Sequence, residues 1–88
     1  MIVKIDKSLQ KDLKKINDQS VKSTLANTIL NIQNVSKPTD IQNIKKLKGA
    51  KNFYRVRLGS YRLGMIIEGE EVILVRLLHR KDIYKFFP

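Results

Sequence analysis

The chain has 88 residues, enough for one domain with a modest core and too few for a separate regulatory module. Its composition is 42% hydrophobic and 30% charged, no apolar run approaches the roughly 20 residues of a membrane span, and zero cysteines with one histidine argue against disulfides, thiol catalysis and a Cys- or His-based metal site. Eighteen Lys and Arg against eight Asp and Glu leave a net charge of +10, a surplus whose usual physical use is attraction to phosphate polyanions or to an acidic protein partner.

At the N-terminus MIVKIDKSLQ lacks the charged segment, apolar stretch and small-residue cleavage site of an export signal, so the expected location is the cytoplasm. Residues 2–5, IVKI, read as a short strand. Asp6 or Ser8 can cap a helix whose apolar residues Leu9, Leu13 and Ile16 fall on one face. Lys7, Lys11, Lys14 and Lys15 cover its outer side as a solvated face. After a polar break at residues 17–20, Val21, Leu25, Ile29, Ile32 and Val35 repeat at helical spacing until Pro38, which biases Lys37 away from helix. The two helices are expected to form an antiparallel hairpin. Residues 36–52 read as a polar, lysine-rich connection carrying Lys45, Lys46, Lys48 and Lys51, with a turn at Gly49.

From Phe53 the apolar period switches to two. FYRVRL, YRLGMII and EVILVRLL read as three strands of an antiparallel meander, separated by Gly59-Ser60 and Gly69-Glu70. HRKDIYKFFP then supplies a last short helical turn. The sequence therefore predicts an α+β domain of order β-α-α-β-β-β over residues 1–88. In it a helical hairpin packs on one face of a small, mainly antiparallel sheet, and the other face is partly open.

A two-residue loop at Gly59-Ser60 pairs Leu58 with Tyr61, Arg57 with Arg62, Val56 with Leu63 and Arg55 with Gly64. Tyr54, Val56, Leu58, Tyr61, Leu63 and Met65 then share the face that takes the helices, and Arg55, Arg57 and Arg62 share the other. For the third strand, a two-residue loop at 69–70 would set Arg76 beside Leu63 among apolar side chains. A three-residue loop with a bulge at Gly69 instead sends Ile73, Val75 and Leu77 to the core and Arg76 to the arginine face, the register preferred because it leaves no charge buried without a partner. Gly64 would leave a depression in that face; a bulge and the close approach of a ligand are equally physical readings of a glycine inside a strand. Guanidinium groups grip phosphate through two bonds and stack on bases. Four of them, rimmed by Lys46, Lys48 and Lys51, point to a nucleic-acid backbone.

LKG at 47–49, YRVRLGSYRL at 54–63 and HRKDIY at 79–84, in that order behind a helical hairpin, resemble the RelE/ParE superfamily of type II toxins, most of all its RelE branch of messenger-RNA interferases. The resemblance spans essentially the whole chain, and the hairpin and the HRKDIY end are its specific parts. It implies a ribosome-dependent endoribonuclease that cuts messenger RNA in the A site without metal or cofactor, by attack of a ribose 2′-hydroxyl on the adjacent phosphate. It also implies a cognate acidic antitoxin.

By motif position, Arg55 and Arg57 match the family's basic strand pair, Arg62 the phosphate-stabilising arginine and Lys48 the basic residue of LKG. Arg80 or Lys81 matches the cation that protonates the leaving 5′-oxygen, and Tyr84 the tyrosine that stacks on or orients the nucleotide. Ribonuclease members often carry lysine where this chain has Arg55 and Arg57, one of them as general base. Arginine does not readily lose a proton, so His79, with a reference pKa of about 6.5, or Lys81 becomes the candidate base. Two other readings stay open, a ParE-like inhibitor of DNA gyrase without a catalytic site and a non-catalytic RNA-binding relative. The set Arg55, Arg57, Arg62 and Tyr84 favours the nuclease.

Overall fold

The computed structural model describes residues 1–49 and 51–88. The elements are β1 (Ile2–Ile5), α1 (Lys7–Lys14), α2 (Gln19–Asn34), a single 3-10 turn (Pro38–Asp40), β2 (Ile44–Lys46), β3 (Phe53–Leu58), β4 (Tyr61–Glu68), β5 (Glu71–His79) and α3 (Ile83–Phe86). They form one five-stranded sheet in the order β1-β5-β4-β3-β2, with β1 parallel to β5 and every other pair antiparallel. The α+β class, the three-stranded meander and the terminal helical turn are as the sequence predicts.

Capping fixes where both long helices begin. The Asp6 carboxylate accepts from the Ser8 N–H at 3.0 Å and that of Asp18 from the Ser20 N–H at 2.9 Å, each satisfying a helix donor that has no partner within the helix. The Ser8 and Ser20 hydroxyls, which donate to the same carboxylates, and then these N–H groups hold both carboxyls below the usual aspartate range. α1 packs against β5, and α2 against β1 and β3. Leu9, Leu25 and Ile32 descend from the helices onto Val56, Leu63, Met65, Val72, Leu74 and Leu77 of the sheet, making the main core.

The connection is more ordered over residues 36–49 than its composition suggests. Within it Ile44–Lys46 form an edge strand on β3, with Ile44 opposite Val56, Lys45 opposite Arg55 and Lys46 opposite Tyr54. A three-residue strand flanked by lysines has too little alternation to stand out from a polar loop. Asn43 precedes it at φ 63°, a left-handed conformation that asparagine tolerates better than most residues.

The β3-β4 register is the predicted one, pair for pair. β5 departs from its predicted register. The β4-β5 loop is two residues, since Glu68 pairs with Glu71, and Met65 pairs with Leu74. The irregularity lies further on, where Met65 faces Leu74 but Gly64 faces Arg76, leaving Val75 as the extra residue. Val72, Leu74 and Leu77 are buried in the main core, whereas Ile73 and Val75 are half-buried. Leu74 and Leu77 are three apart and cannot both face inward on a regular strand, and the bulge is what lets them. EVILVRLL is apolar at nearly every position, so alternation could not fix this register.

The second sheet face carries a smaller core. Leu47, Ile83 and Phe87 are buried there with Phe53, Val75 and Leu78 packed around them. α3 thereby closes one half of that face and leaves the other half to the arginines.

Candidate functional site

The open half of the second face is built from the β3-β4 hairpin and its neighbours. Arg57 and Arg62 are direct cross-strand partners, Arg55 lies opposite Gly64, and Lys45 lies opposite Arg55. Alternation of side chains puts these four cations on one side. Among the described residues the ion pairs are Lys4 with Glu71 and Arg76 with Asp12, so no carboxylate neutralises Arg55, Arg57 or Arg62. Arg55 and Arg62 also donate to backbone carbonyls. Arg62 Nη1 donates to Gly59 O at 2.7 Å and to Tyr61 O at 2.9 Å, and Arg55 Nη1 to Asn43 O at 3.4 Å. The buried Nε of Arg55 has no partner. Burial, and then the fields of Arg55, Arg57 and Arg80, push the Arg62 pKa down. Like charges gathered this closely weaken the fold unless an anion joins them.

Tyr84 completes the face from α3. It is 62% exposed, and its hydroxyl is held below the ordinary phenol range, first by hydrogen bonding from Arg55 and then by the charges of Arg55, Lys45 and Arg62, against a smaller opposing effect of burial. A cleft of about 390 Å³ opens beside it, lined by Lys45, Lys46, Leu47, Lys48, Phe87 and Pro88. Arg80 and Lys81 are exposed on the adjoining loop. The Arg80 N–H donates to Ser60 O at 2.8 Å, which ties this loop to the β3-β4 turn. The arrangement offers a phosphate several guanidinium donors with a loosened phenol proton beside them.

Four sequence expectations are placed differently. Arg76 is committed elsewhere: its Nε and Nη2 donate to the Asp12 carboxylate at 2.8 and 3.1 Å, and that carboxylate also accepts from the Leu77 N–H at 2.9 Å. The reason is topological. β1 covers the edge of β5 only as far as Leu74, and α1 takes over beyond it, Ser8 donating to Val75 O and Asp12 accepting from Leu77 N. The depression at Gly64 is filled by the ring of Phe87.

His79 pairs with Tyr61 and packs against its ring edge-on, centroids 5.7 Å apart. It lines a hollow with Asp12, Lys15 and Ile16, on the helix side of the sheet, and its Nδ1 accepts from the Lys81 N–H at 3.2 Å. Lys46, opposite Tyr54, has the helix-side parity, although it also lines the cleft. Lys48 and Lys51 are exposed in the turn before β3. Lys45 is the cation that sequence reasoning missed, and only recognition of β2, with its pairing to Arg55, would have found it.

Comparison with known proteins places the chain by family and by fold. The family described as the ParE toxin of type II toxin-antitoxin systems, parDE, matches residues 3–84. The chain is 39% identical over 89 residues to Toxin RelE3 of Methanocaldococcus jannaschii, with both chains covered in full. Superposition on a chain of the RelB-RelE antitoxin-toxin complex from Methanococcus jannaschii gives a TM-score of 0.80 at 36% identity, covering 97% of this chain and 99% of that one. The archaeal RelE-RelB complex from Pyrococcus horikoshii OT3, at 23% identity, shares the fold with a TM-score of 0.72 over 90% of this chain and 93% of that one.

Proposed function

The chain belongs to the ParE toxin family of type II toxin-antitoxin systems, within the RelE/ParE superfamily, and from that premise we propose that it is a RelE-like, ribosome-dependent endoribonuclease that cleaves messenger RNA. The observation that carries this reading is the cluster of Arg55, Arg57 and Arg62, which has no acidic partner among the described residues, set beside the exposed Tyr84. A purely structural cluster would be neutralised, as Arg76 is.

In the proposed reaction the 2′-oxygen loses its proton and bonds to the adjacent phosphorus, the bond from phosphorus to the 5′-oxygen breaks, and the departing 5′-oxygen takes up a proton. The products are a 2′,3′-cyclic phosphate and a 5′-hydroxyl. Arg55, Arg57 and Arg62 neutralise the charge that grows on the phosphorane, a preorganised role in which one donor is typically worth about 10²–10³ in rate. Arginine keeps its proton, so Lys81 is the proton donor to the leaving oxygen. Tyr84, whose hydroxyl is loosened by Arg55, takes the position of proton acceptor or orients the ribose. His79 has no part on this face, because it stands on the helix side. Lys45, Lys48 and Lys51 hold flanking phosphates.

Addition of the protein to a cell-free translation reaction, with message ends mapped by primer extension, tests the reading. Codon-phased cuts that require ribosomes are expected, with cyclic phosphate at the upstream ends. Intact messages would overturn it, and intact messages with inhibited DNA supercoiling would identify a gyrase inhibitor instead. The RelB-RelE complexes among its relatives and the +10 charge together support an antitoxin partner with an acidic segment that folds on binding over the arginine face. A small acidic protein encoded by a neighbouring gene is the expected source.

A further inference from the structure

Tyr84 stands at the arginine face on a helix of only four residues, Ile83–Phe86. A helix that short has no stability of its own, so its position must come from what it is anchored to. Two anchors are visible. Ile83 is fully buried and Phe87 is 3% exposed, both within the small core on the second sheet face. The Phe87 N–H closes the helix onto Ile83 O at 2.8 Å. Tyr84 and Phe86, on the turn between them, are 62% and 60% exposed.

The seat of Phe87 is specific. A Cβ placed on Gly64 would lie 2.7 Å from Phe87 Cδ2 and 2.8 Å from both Cγ and Cε2, so the ring lies flat on the bare backbone at that point. The ring also packs against that of Phe53, with centroids 5.3 Å apart and planes tilted by 42°. Gly64 is at the same time the cross-strand partner of Arg55, the arginine whose guanidinium neighbours the Tyr84 hydroxyl. The strand position that receives the ring is thus the one beside the arginine that receives the tyrosine.

We propose that Gly64 and Phe87 form a socket and plug that positions Tyr84 over Arg55, so that Gly64 is required for the site's geometry although it touches no substrate. Gly64 is in ordinary extended backbone, and its need for a bare Cα comes from the ring and not from its own torsion angles. The inference rests on the proposed nuclease reading only for its effect on RNA. The placement of Tyr84 stands apart from it.

The experiment measures two quantities on the full chain, the titration of the Tyr84 phenol by phenolate absorbance, assigned by difference against Tyr84→Phe, and message cleavage in translation extract. The native Tyr84 phenol, with Arg55, Lys45 and Arg62 around it, is expected to titrate below an ordinary phenol. Gly64→Ala displaces the ring, moves that titration up toward the ordinary range, and lowers cleavage about tenfold to a hundredfold, the usual scale for a misplacement near 1 Å. Gly64→Ala with Phe87→Leu, which trades the flat ring for a smaller side chain above the new methyl group, recovers part of both. Phe87→Ala, which empties the socket without adding a methyl group, reproduces the titration change and covers the case in which Gly64→Ala does not fold. A folded Gly64→Ala or Phe87→Ala chain whose Tyr84 titration matches the native one overturns the proposal. If the native chain leaves messages intact, the nuclease reading fails, and the titration alone still decides the socket.

Discussion

Arg62 and Arg76 lie on neighbouring strands of one sheet, both only partly exposed, and their surroundings are opposite. Arg76 gives two hydrogen bonds to a carboxylate that is itself nearly buried, and that carboxylate also closes the open edge of β5 at the Leu77 N–H. Arg62 faces Arg57 across the hairpin, feels Arg55 and Arg80 as further positive charge, and bonds only to carbonyls of its own turn. A buried carboxylate between helix and strand holds the sheet together. A bare guanidinium cluster does nothing for the sheet and is at most tolerated by it. The same residue type therefore serves stability where an acid is supplied, and where none is it is left free for the anion recognition proposed above.

If that contrast is right, substitution at the two sites should separate activity from stability. Arg62→Ala is expected to lower message cleavage by about 10²–10³, the usual consequence of deleting one charge-stabilising donor, while the melting temperature stays within a few degrees of native. The measurement pairs primer extension in translation extract with a thermal melt. A well-folded Arg62→Ala chain that cleaves as fast as the native one would remove Arg62 from the site.

Asp12→Ala should do the reverse. It leaves the Arg76 guanidinium without its counter-charge and the Leu77 N–H without an acceptor. Removing one partner of a buried pair costs about 3–5 kcal/mol, and the Arg76 side chain, 27% exposed to water, brings the expectation to the low end, about 3 kcal/mol in urea unfolding. Asp12→Asn keeps an acceptor for Leu77 and should fall between. At a temperature where it is still folded, the Asp12→Ala chain should retain cleavage within severalfold of native, because nothing on the arginine face is altered.

The hairpin half of this contrast was legible in the sequence. Alternation through YRVRL and YRLGM leaves one register compatible with an apolar core, and that register gathers Arg55, Arg57 and Arg62. The Arg76 half was not legible. EVILVRLL has no alternation to read, and the carboxylate that claims Arg76 lies 64 positions away on a helix whose four lysines dominate its appearance. Asp12 reads locally as one more polar residue on a solvated face. Lys45 and the filling of Gly64 were hidden for the same reason, since each depends on a contact between segments that local pattern does not connect, β2 with β3 in one case and Phe87 with β4 in the other.

The smallest expected effect is the most direct test of whether the arginine cluster opposes folding. Arg57 is the exposed member of the pair with Arg62. Replacing it by glutamine keeps most of its length and removes one like-charge contact, so Arg57→Gln should stabilise the domain by about 0.2–1 kcal/mol at low salt, the range for directly opposed side chains. The gain should fade as salt is raised toward 1 M, where the screening length falls to about 3 Å. Arg76→Gln, measured in parallel, should lose stability at every salt concentration, because its partner is close and shielded from solvent ions. A destabilised Arg57→Gln chain would mean that the aliphatic stem of Arg57 packs on the sheet for more than its charge costs. In that event the hairpin arginines would be structural in the same sense as Arg76, and the absence of an acidic partner would no longer distinguish the two sites.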